Sequence, residues 1–543
     1  MDPPSAGRRS HLIRRLLRHR LLPLWSFVAF VAAAGPLIIF HFGAHRWFLR
    51  DEWSFIADRG GSRFPDLIEP NGGAHWVAVP RIVFWGLWQI FGITTYRPYL
   101  VGVVILHLVT AVLLRVVMRR AGVGPWLATC AASVLVLYGP GSQNFMWAFQ
   151  IGFIGSVAYG LVHLLLTDHD GPVGRNDAVG LLFGLLAIMS SGVGITMTVA
   201  VGVAVAIRRG WRPALMHTVP LGAIYLIWSW VADARSSPLG APSPGVLISW
   251  IKSSAIGTLV GLGYFGAIAW GLLAVLLVGT ILAWRGGVLG ADRRRLAVPS
   301  GLLVATLFFM ATTGLGRWWL GQEGARADRY VYLQSALVLP MLAVAAECLA
   351  RRWRRLTPLV FALILVPVPL NLGGFDDAIF GKEYMANRRY VLTTAPRMPF
   401  ARDVPRDVQP IPDIFSSDAV TIGFLLTAAS NGDLNPSEVP LTPRVVNEFK
   451  VRLGVAQRHG RRTYPTGCEQ SDRVTRLEPE VGDRLYIGGP VAIATTDGEG
   501  PTSPAVTFTT MGGGTELTIE LPDLHLQIGP RPGATQYTLC KQG

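Results

Sequence analysis

The chain has 543 residues, of which 51% are apolar and only 15% charged, with 17 Trp and a formal net charge of +15. So little charge over such a length excludes an ordinary soluble globular protein. The positive balance does not point to nucleic acid, because the arginines cluster in short segments between apolar runs, the distribution that bilayer insertion produces.

Residues 1–20 form a basic N-terminus, expected in the cytoplasm. The apolar run that follows continues through Leu37-Ile38-Ile39-Phe40, longer than the ~7–15 residues of a signal-peptide core, so it reads as a retained first helix over 21–40. Arg50-Asp51-Glu52-Trp53 comes shortly after it. Two carboxylates at a lipid–water boundary lose hydration, and they sit at the depth of a lipid-borne phosphate. The first loop, 41–97, also holds Asp58, Asp66, Glu69, His75, Trp76 and Arg81, and faces outward in this reading.

The arginine-rich connectors Arg115–Arg120, Arg208–Arg212, Arg293–Arg295 and Arg351–Arg355 are all expected inside. That requires the apolar segment from Trp76 to Ile93 to lie in the outer interface, where Trp76, Trp85 and Trp88 are favoured, instead of spanning. Spans then fall near 21–40, 98–118, 124–138, 145–166, 178–190, 192–207, 213–232, 263–284, 297–316, 331–350 and 356–372, about eleven helices starting inside and ending outside. The fifth and sixth are short and meet at Ser190-Ser191-Gly192, as two crossings or as one bent hairpin.

Two further outer segments are polar. One is Gly139-Pro140-Gly141-Ser142-Gln143-Asn144, leading to Trp147 and Gln150; the other runs from Arg317-Trp318-Trp319 through Arg326 and Arg329 to Tyr330. Arg326 and Arg329 are one helical turn apart, a spacing that would put both guanidinium groups on one face, suited to phosphate. Singly, each is as readily a snorkelling or ion-paired arginine.

Beyond residue 372 the spanning runs end. Residues 373–462 read as a mixed extracytoplasmic region. Over 463–543 the alternation in Leu485-Tyr486-Ile487, Val506-Thr507-Phe508, Leu517–Leu521 and Leu524–Ile528 indicates a small antiparallel β domain. Cys468 and Cys540 bracket that domain and are expected to form a disulfide; Cys130 and Cys348 lie inside spans as apolar fillers. No ligand pairs have zinc-like spacing.

This order of features resembles the GT-C superfamily of polytopic glycosyltransferases, which use polyprenyl-phosphate sugars. The stretches Asp51-Glu52-Trp53, His75-Trp76 with Pro80, Asn144–Phe153, Ser190–Gly194 and Arg329-Tyr330-Val331-Tyr332 are similar to those of uncharacterised actinobacterial members, over about residues 20–372. The resemblance implies a multi-pass plasma-membrane enzyme of a GT-C-like α-helical fold. It would move a sugar from a polyprenyl-phosphate donor to an envelope glycan, lipid or protein acceptor on the outer face, with inversion. It implies Asp51 as general base, with Glu52 assisting or, with Asp51, holding a divalent cation, the one cofactor expected. Arg326 and Arg329 would stabilise the departing phosphate. His75, Trp76, Arg81, Gln143, Asn144, Trp147, Gln150 and Tyr330 would contribute to substrate binding. The β domain is similar in placement to carbohydrate-binding appendages.

Three other readings compete. An outer-face glycan ligase or polymerase usually relies on a large late loop, whereas here the first is largest. A transporter or flippase would carry ionisable groups near the bilayer midplane, where this chain has His107 and His163, each read as a hydrogen-bonded packing residue. A non-catalytic glycan-binding protein would not need so many helices as an anchor.

Overall fold

A computed structural model describes residues 21–58, 64–71, 75–234, 240–286, 293–375, 381–411, 420–458, 468–508 and 515–542. The basic segment 1–20 lies outside the described residues. Contacts divide the chain into two units: residues 1–44, 64–82 and 97–381 in the first, and 45–63, 83–96 and 382–543 in the second.

The first unit is a helical bundle. Its elements are α1 (Leu22–Pro36, continued as a wider turn to Phe42), the start of α2 (Ala78–Phe91), α3 (Arg97–Arg120), α4 (Pro125–Val136), α5 (Ile151–Thr167), α6 (Arg175–Ile188), α7 (Val193–Arg209), α8 (Trp211–Val231), α9 (Pro244–Gly263), α10 (Gly266–Arg285), α11 (Ala297–Arg317), α12 (Asp328–Arg352) and α13 (Thr357–Leu365). A two-residue ribbon, β1 (Pro70–Asn71) with β2 (His75–Trp76), precedes α2. Among the described residues, nine helices are long and apolar enough to cross a membrane. This is the architecture of a polytopic helical membrane protein. α12 is its axis, with Tyr330 to Leu349 buried throughout.

α2 is 14 residues, about 21 Å at ~1.5 Å per residue, too short for a ~30 Å core, in keeping with a segment that does not span. α6 and α7 are short as the sequence indicates, 14 and 17 residues, below the ~20 a full crossing needs. They meet at an elbow where a Cβ on Gly194 would stand 2.4 Å from the Ala187 backbone, so only glycine lets the two strokes close. The expected continuous helix over 145–166 is broken: Trp147 is extended (φ −123°, ψ 110°), between a single turn at Ser142–Met146 and α5.

α9 fills the stretch between two expected spans, where Lys252 and four serines over 243–254 diluted the apolar signal. Along its length it meets one end of the bundle. Leu247 and Trp250 abut Gly314 near the end of α11, and Ser254 Oγ donates to the Ala325 carbonyl (3.2 Å). Thr258 Oγ1 donates to Gln334 Oε1 (2.5 Å), and Gly261 packs on Tyr138 and Val331. α9 therefore runs across the ends of α4, α11 and α12 instead of down between them.

The second unit carries α14 (Lys382–Thr394), α15 (Ile422–Ser430), α16 (Pro443–Gly454) and a β domain. Its strands are β3 (Val455–Arg458), β4 (Glu469–Ser471), β5 (Thr475–Leu477), β6 (Arg484–Gly488), β7 (Val491–Thr495), β8 (Val506–Phe508), β9 (Thr515–Ile519), β10 (Leu526–Pro530) and β11 (Tyr537–Gln542). They form antiparallel sheets of order β5-β10-β7-β8 and β3-β9-β6-β11-β4. The period-two pattern appears as burial: Thr515, Leu517 and Ile519 face inward along β9. Cys468 and Cys540 are joined in a disulfide across 72 residues. Closing a loop of that length stabilises by ~4 kcal/mol in the chain-entropy picture.

Candidate functional site

One set of polar groups of the first unit lies at the bundle end crossed by α9. His75, on β2, accepts a hydrogen bond at Nδ1 from the Gly192 amide at the α6–α7 elbow (3.3 Å) and meets the Phe153 ring of α5 edge-on (5.4 Å). Burial first, then the positive charges of Arg317 and Arg329, push its pKa down to about 4. The imidazole is therefore neutral at pH 7, and with Nδ1 accepting, its proton resides on Nε2.

Arg317 ends α11 and Arg329 lies in the first turn of α12. Among the described residues neither guanidinium has an ion-pair or hydrogen-bond partner, although Arg329 lies over the Tyr330 ring (5.0 Å). Two cations with no internal acceptor among the described residues, whose charge is felt by a buried neutral histidine, are groups suited to an anion.

The broken segment before α5 adds unsatisfied groups. Asn144 is buried; its Nδ2 donates to the Arg329 carbonyl (3.3 Å), while its Oδ1 has no partner. Trp147 Nε1 and Gln150 Oε1 are likewise buried without partners. Each such atom costs about 1–3 kcal/mol unless something bonds it. Gln143 is buried in the same turn.

Other expected site residues are committed to packing. Trp76 stacks flat on Trp228 (5.3 Å, 2°), and its Nε1 donates to the Leu67 carbonyl. Arg81 is buried and donates to the Glu69 carbonyl (3.0 Å), fastening the ribbon to α2. Tyr330 is buried against Phe309 and Trp250.

The helical spacing expected for Arg326 and Arg329 does not exist. α12 starts at Asp328, and Ala327 before it is extended (φ −56°, ψ 137°), so no common helical face holds both arginines. Arg329 belongs with His75 and Arg317, whereas Arg326 lines a cavity beside α9. Arg317 escaped the sequence reading as a site residue because one arginine at the end of an apolar helix looks like a snorkelling anchor.

Asp51 and Glu52 belong to the second unit. The backbone just before them is left-handed at Arg50 (φ 47°), an uncommon conformation for a residue with a side chain. Its neighbours diverge: Asp51 is exposed and Glu52 fully buried. Glu52 accepts from the Leu49 amide (2.7 Å) and from the Tyr96 hydroxyl (2.6 Å), one bond to each carboxylate oxygen. Burial lowers the pKa of nearby Arg46, opposed by Tyr96 and Glu52. Glu52 thus holds the loop, and Asp51 is the carboxylate presented to solvent. Among the described residues no group of three or more His, Cys, Asp or Glu is placed to hold a metal ion.

The bundle's other end has a different character. Asp177, at the start of α6, is fully buried and accepts from the Gly174 amide (2.9 Å), from Arg209 and from His217 Nε2 (2.9 Å). His217 Nδ1 in turn meets His163 Nε2 (3.0 Å). His107 is bonded to the Tyr332 hydroxyl (2.8 Å) and the Val136 carbonyl (3.1 Å), so both mid-span histidines are hydrogen-bonded within the packing.

No family model matches the chain, and no curated protein or solved structure is similar to it.

Proposed function

We propose that the chain is a membrane glycosyltransferase of the GT-C kind, moving a sugar from a polyprenyl-phosphate donor to an envelope acceptor. The observation that carries this is the pair Arg317 and Arg329, unpartnered among the described residues, whose charges add to burial in lowering the pKa of His75. In this reading the two guanidinium groups and the Nε2–H of His75 take the donor phosphate. Asn144 Oδ1 and Gln150 Oε1 accept from sugar hydroxyls, and Trp147 Nε1–H donates to one.

The chemistry is a displacement. A base removes the proton of the acceptor hydroxyl, that oxygen attacks the anomeric carbon from the far side, and the carbon–oxygen bond to phosphate breaks. The electron pair leaves with the lipid phosphate, whose growing charge fixed arginines stabilise more than they do the bound donor. The GT-C resemblance assigns the base to Asp51, and the exposure of Asp51 beside a buried Glu52 favours it over its neighbour. The same reading places the loop after α1 and the disulfide-bonded β domain on the outer side of the plasma membrane.

The test is transfer from a radiolabelled polyprenyl-phosphate sugar pool to extracted envelope glycan. Asp51→Asn should abolish transfer and leave donor retention and thermal unfolding unchanged, because the amide keeps the size but cannot take the proton. Full transfer by Asp51→Asn would remove it as base. Undiminished donor retention by the double variant Arg317→Ala/Arg329→Ala would remove the phosphate site.

A further inference from the structure

A second cavity lies at the same bundle end, on residues the transfer reading does not use. It has a volume of 470 Å³, within the range of small-molecule sites. Ile256 and Val260 of α9, with Leu370, make an apolar side, and Arg326 and Asn371 are polar groups on its wall. Ile256 and Val260 are 36% and 40% exposed, so the apolar side continues onto an open face of α9. Such a surface suits a hydrocarbon chain whose polar head sits in the cavity.

Two groups set the chemistry of that head. The exposed guanidinium of Arg326 has no partner among the described residues and calls for an anion. Its stem lies against α9 where Gly257 leaves room: a Cβ there would stand 3.1 Å from Arg326 Cγ. Asn371 is 3% exposed, and its Nδ2 donates to the Gly261 carbonyl (3.1 Å). A carbonyl can only accept, so the amide is fixed that way round. Its Oδ1, buried without a partner, calls for a donor. Asp328 is also on the wall, but it has an interaction of its own and sets no requirement. A choline phosphate would answer Arg326 and leave Asn371 unmet, having no N–H or O–H. A neutral hydroxyl-bearing lipid would do the reverse. A phosphodiester with an O–H or N–H group beyond the phosphate answers both, and a glycerol hydroxyl serves as well as a primary ammonium.

We propose that this cavity binds a bilayer phospholipid whose headgroup carries a hydrogen-bond donor beyond its phosphate, with an acyl chain along Ile256 and Val260, and that it discriminates against choline lipids. The assignment goes beyond glycosyl transfer and holds or fails without it.

Full-length protein would be reconstituted in discs of phosphatidylcholine mixed equally with phosphatidylglycerol, the hydroxyl source, or with phosphatidylethanolamine, the ammonium source. After stripping with mild detergent, native mass spectrometry would identify the retained lipid. At least one donor-bearing lipid should be retained about tenfold over phosphatidylcholine, the order expected for meeting one buried acceptor. An excess of one lipid alone names that headgroup, and an excess of both shows that either donor serves; each result upholds the proposal. Asn371→Leu should bring the ratio close to unity. Arg326→Gln, on an exposed side chain that does not threaten folding, should lower retention of every phospholipid severalfold. If neither lipid exceeds phosphatidylcholine the proposal is overturned, as it is by a ratio unchanged in Asn371→Leu or retention unchanged in Arg326→Gln. Discs holding a polyprenyl-phosphate sugar as the second lipid separate this cavity from the transfer site. If Arg326→Gln lowered retention of that sugar lipid alone, the cavity would belong to transfer and the proposal would fall.

Discussion

The two ends of the helical bundle use arginine differently. At one end carboxylates hold several arginines, though among the described residues not Arg175, Arg285, Arg354 or Arg355: Arg208 bonds Asp168 (2.6 Å) and Asp170 (3.2 Å), Arg209 bonds Asp177, and Arg351 bonds Glu347 (2.6 Å), which also accepts from the Gly124 amide (2.9 Å). At the other end Arg317, Arg326 and Arg329 have no such partners among the described residues, and buried amide and indole atoms nearby are unsatisfied. Stability cannot explain the second arrangement, because each unmet group costs free energy. The paired end holds helices together, whereas the unpaired end has its hydrogen-bonding capacity in reserve for something that is not protein.

This contrast can be broken from the paired side first. Asp177→Asn neutralises the fully buried carboxylate that bonds both Arg209 and His217. It should cost on the order of 3–5 kcal/mol, seen as a large drop in the thermal unfolding midpoint in detergent. From the unpaired side, Arg317→Ala and Arg329→Ala should each change stability by less than about 0.5 kcal/mol. Each should nevertheless lower retention of a polyprenyl phosphate by tenfold or more, the loss of a charge-assisted bond. If Arg329→Ala destabilised as strongly as Asp177→Asn, the two ends would not differ in kind.

A smaller effect belongs to His75. Its folded pKa of about 4 lies below the ordinary 6.5, so above pH 6.5 both folded and unfolded states are neutral there and the residue contributes nothing pH-dependent. Between pH 6.5 and 4 the unfolded chain takes up a proton that the folded chain refuses, so stability falls as pH falls. His75→Gln should flatten that part of an unfolding-midpoint profile. A bound phosphate should shift the same window, because an anion offsets the two arginines.

Much of the helical layout was legible in the sequence because hydropathy integrates over twenty residues and tolerates local error. α9 was not, since serines such as Ser254, bonded to the Ala325 carbonyl, serve packing that a hydropathy sum reads only as polarity. Within the site, Gln143, Asn144 and Gln150 stood out as polar residues amid an apolar run, and the structure places them at the helix break. The Asp51–Glu52 pair carried no sign of which member turns inward; that depends on a left-handed residue, Arg50, and a hydroxyl 44 positions away at Tyr96. Arg326 and Arg329 misled because counting residues assumes one conformation, and a single extended alanine between them redirects the chain.

The order of strands in the larger sheet sets a schedule for biogenesis. β11 is the last of the domain's strands to leave the ribosome, yet it lies inside the sheet, between β6 and β4. Until Tyr537–Gln542 arrives, β4 has no strand to pair with and β6 shows an open edge, the kind of surface on which chains stick to one another. Cys540 travels on that same strand, so the covalent clasp also waits for it. The larger sheet therefore cannot be completed strand by strand in chain order. Its closure and its disulfide are one late step, which makes the arrival of β11 the point at which the yield of the domain is decided.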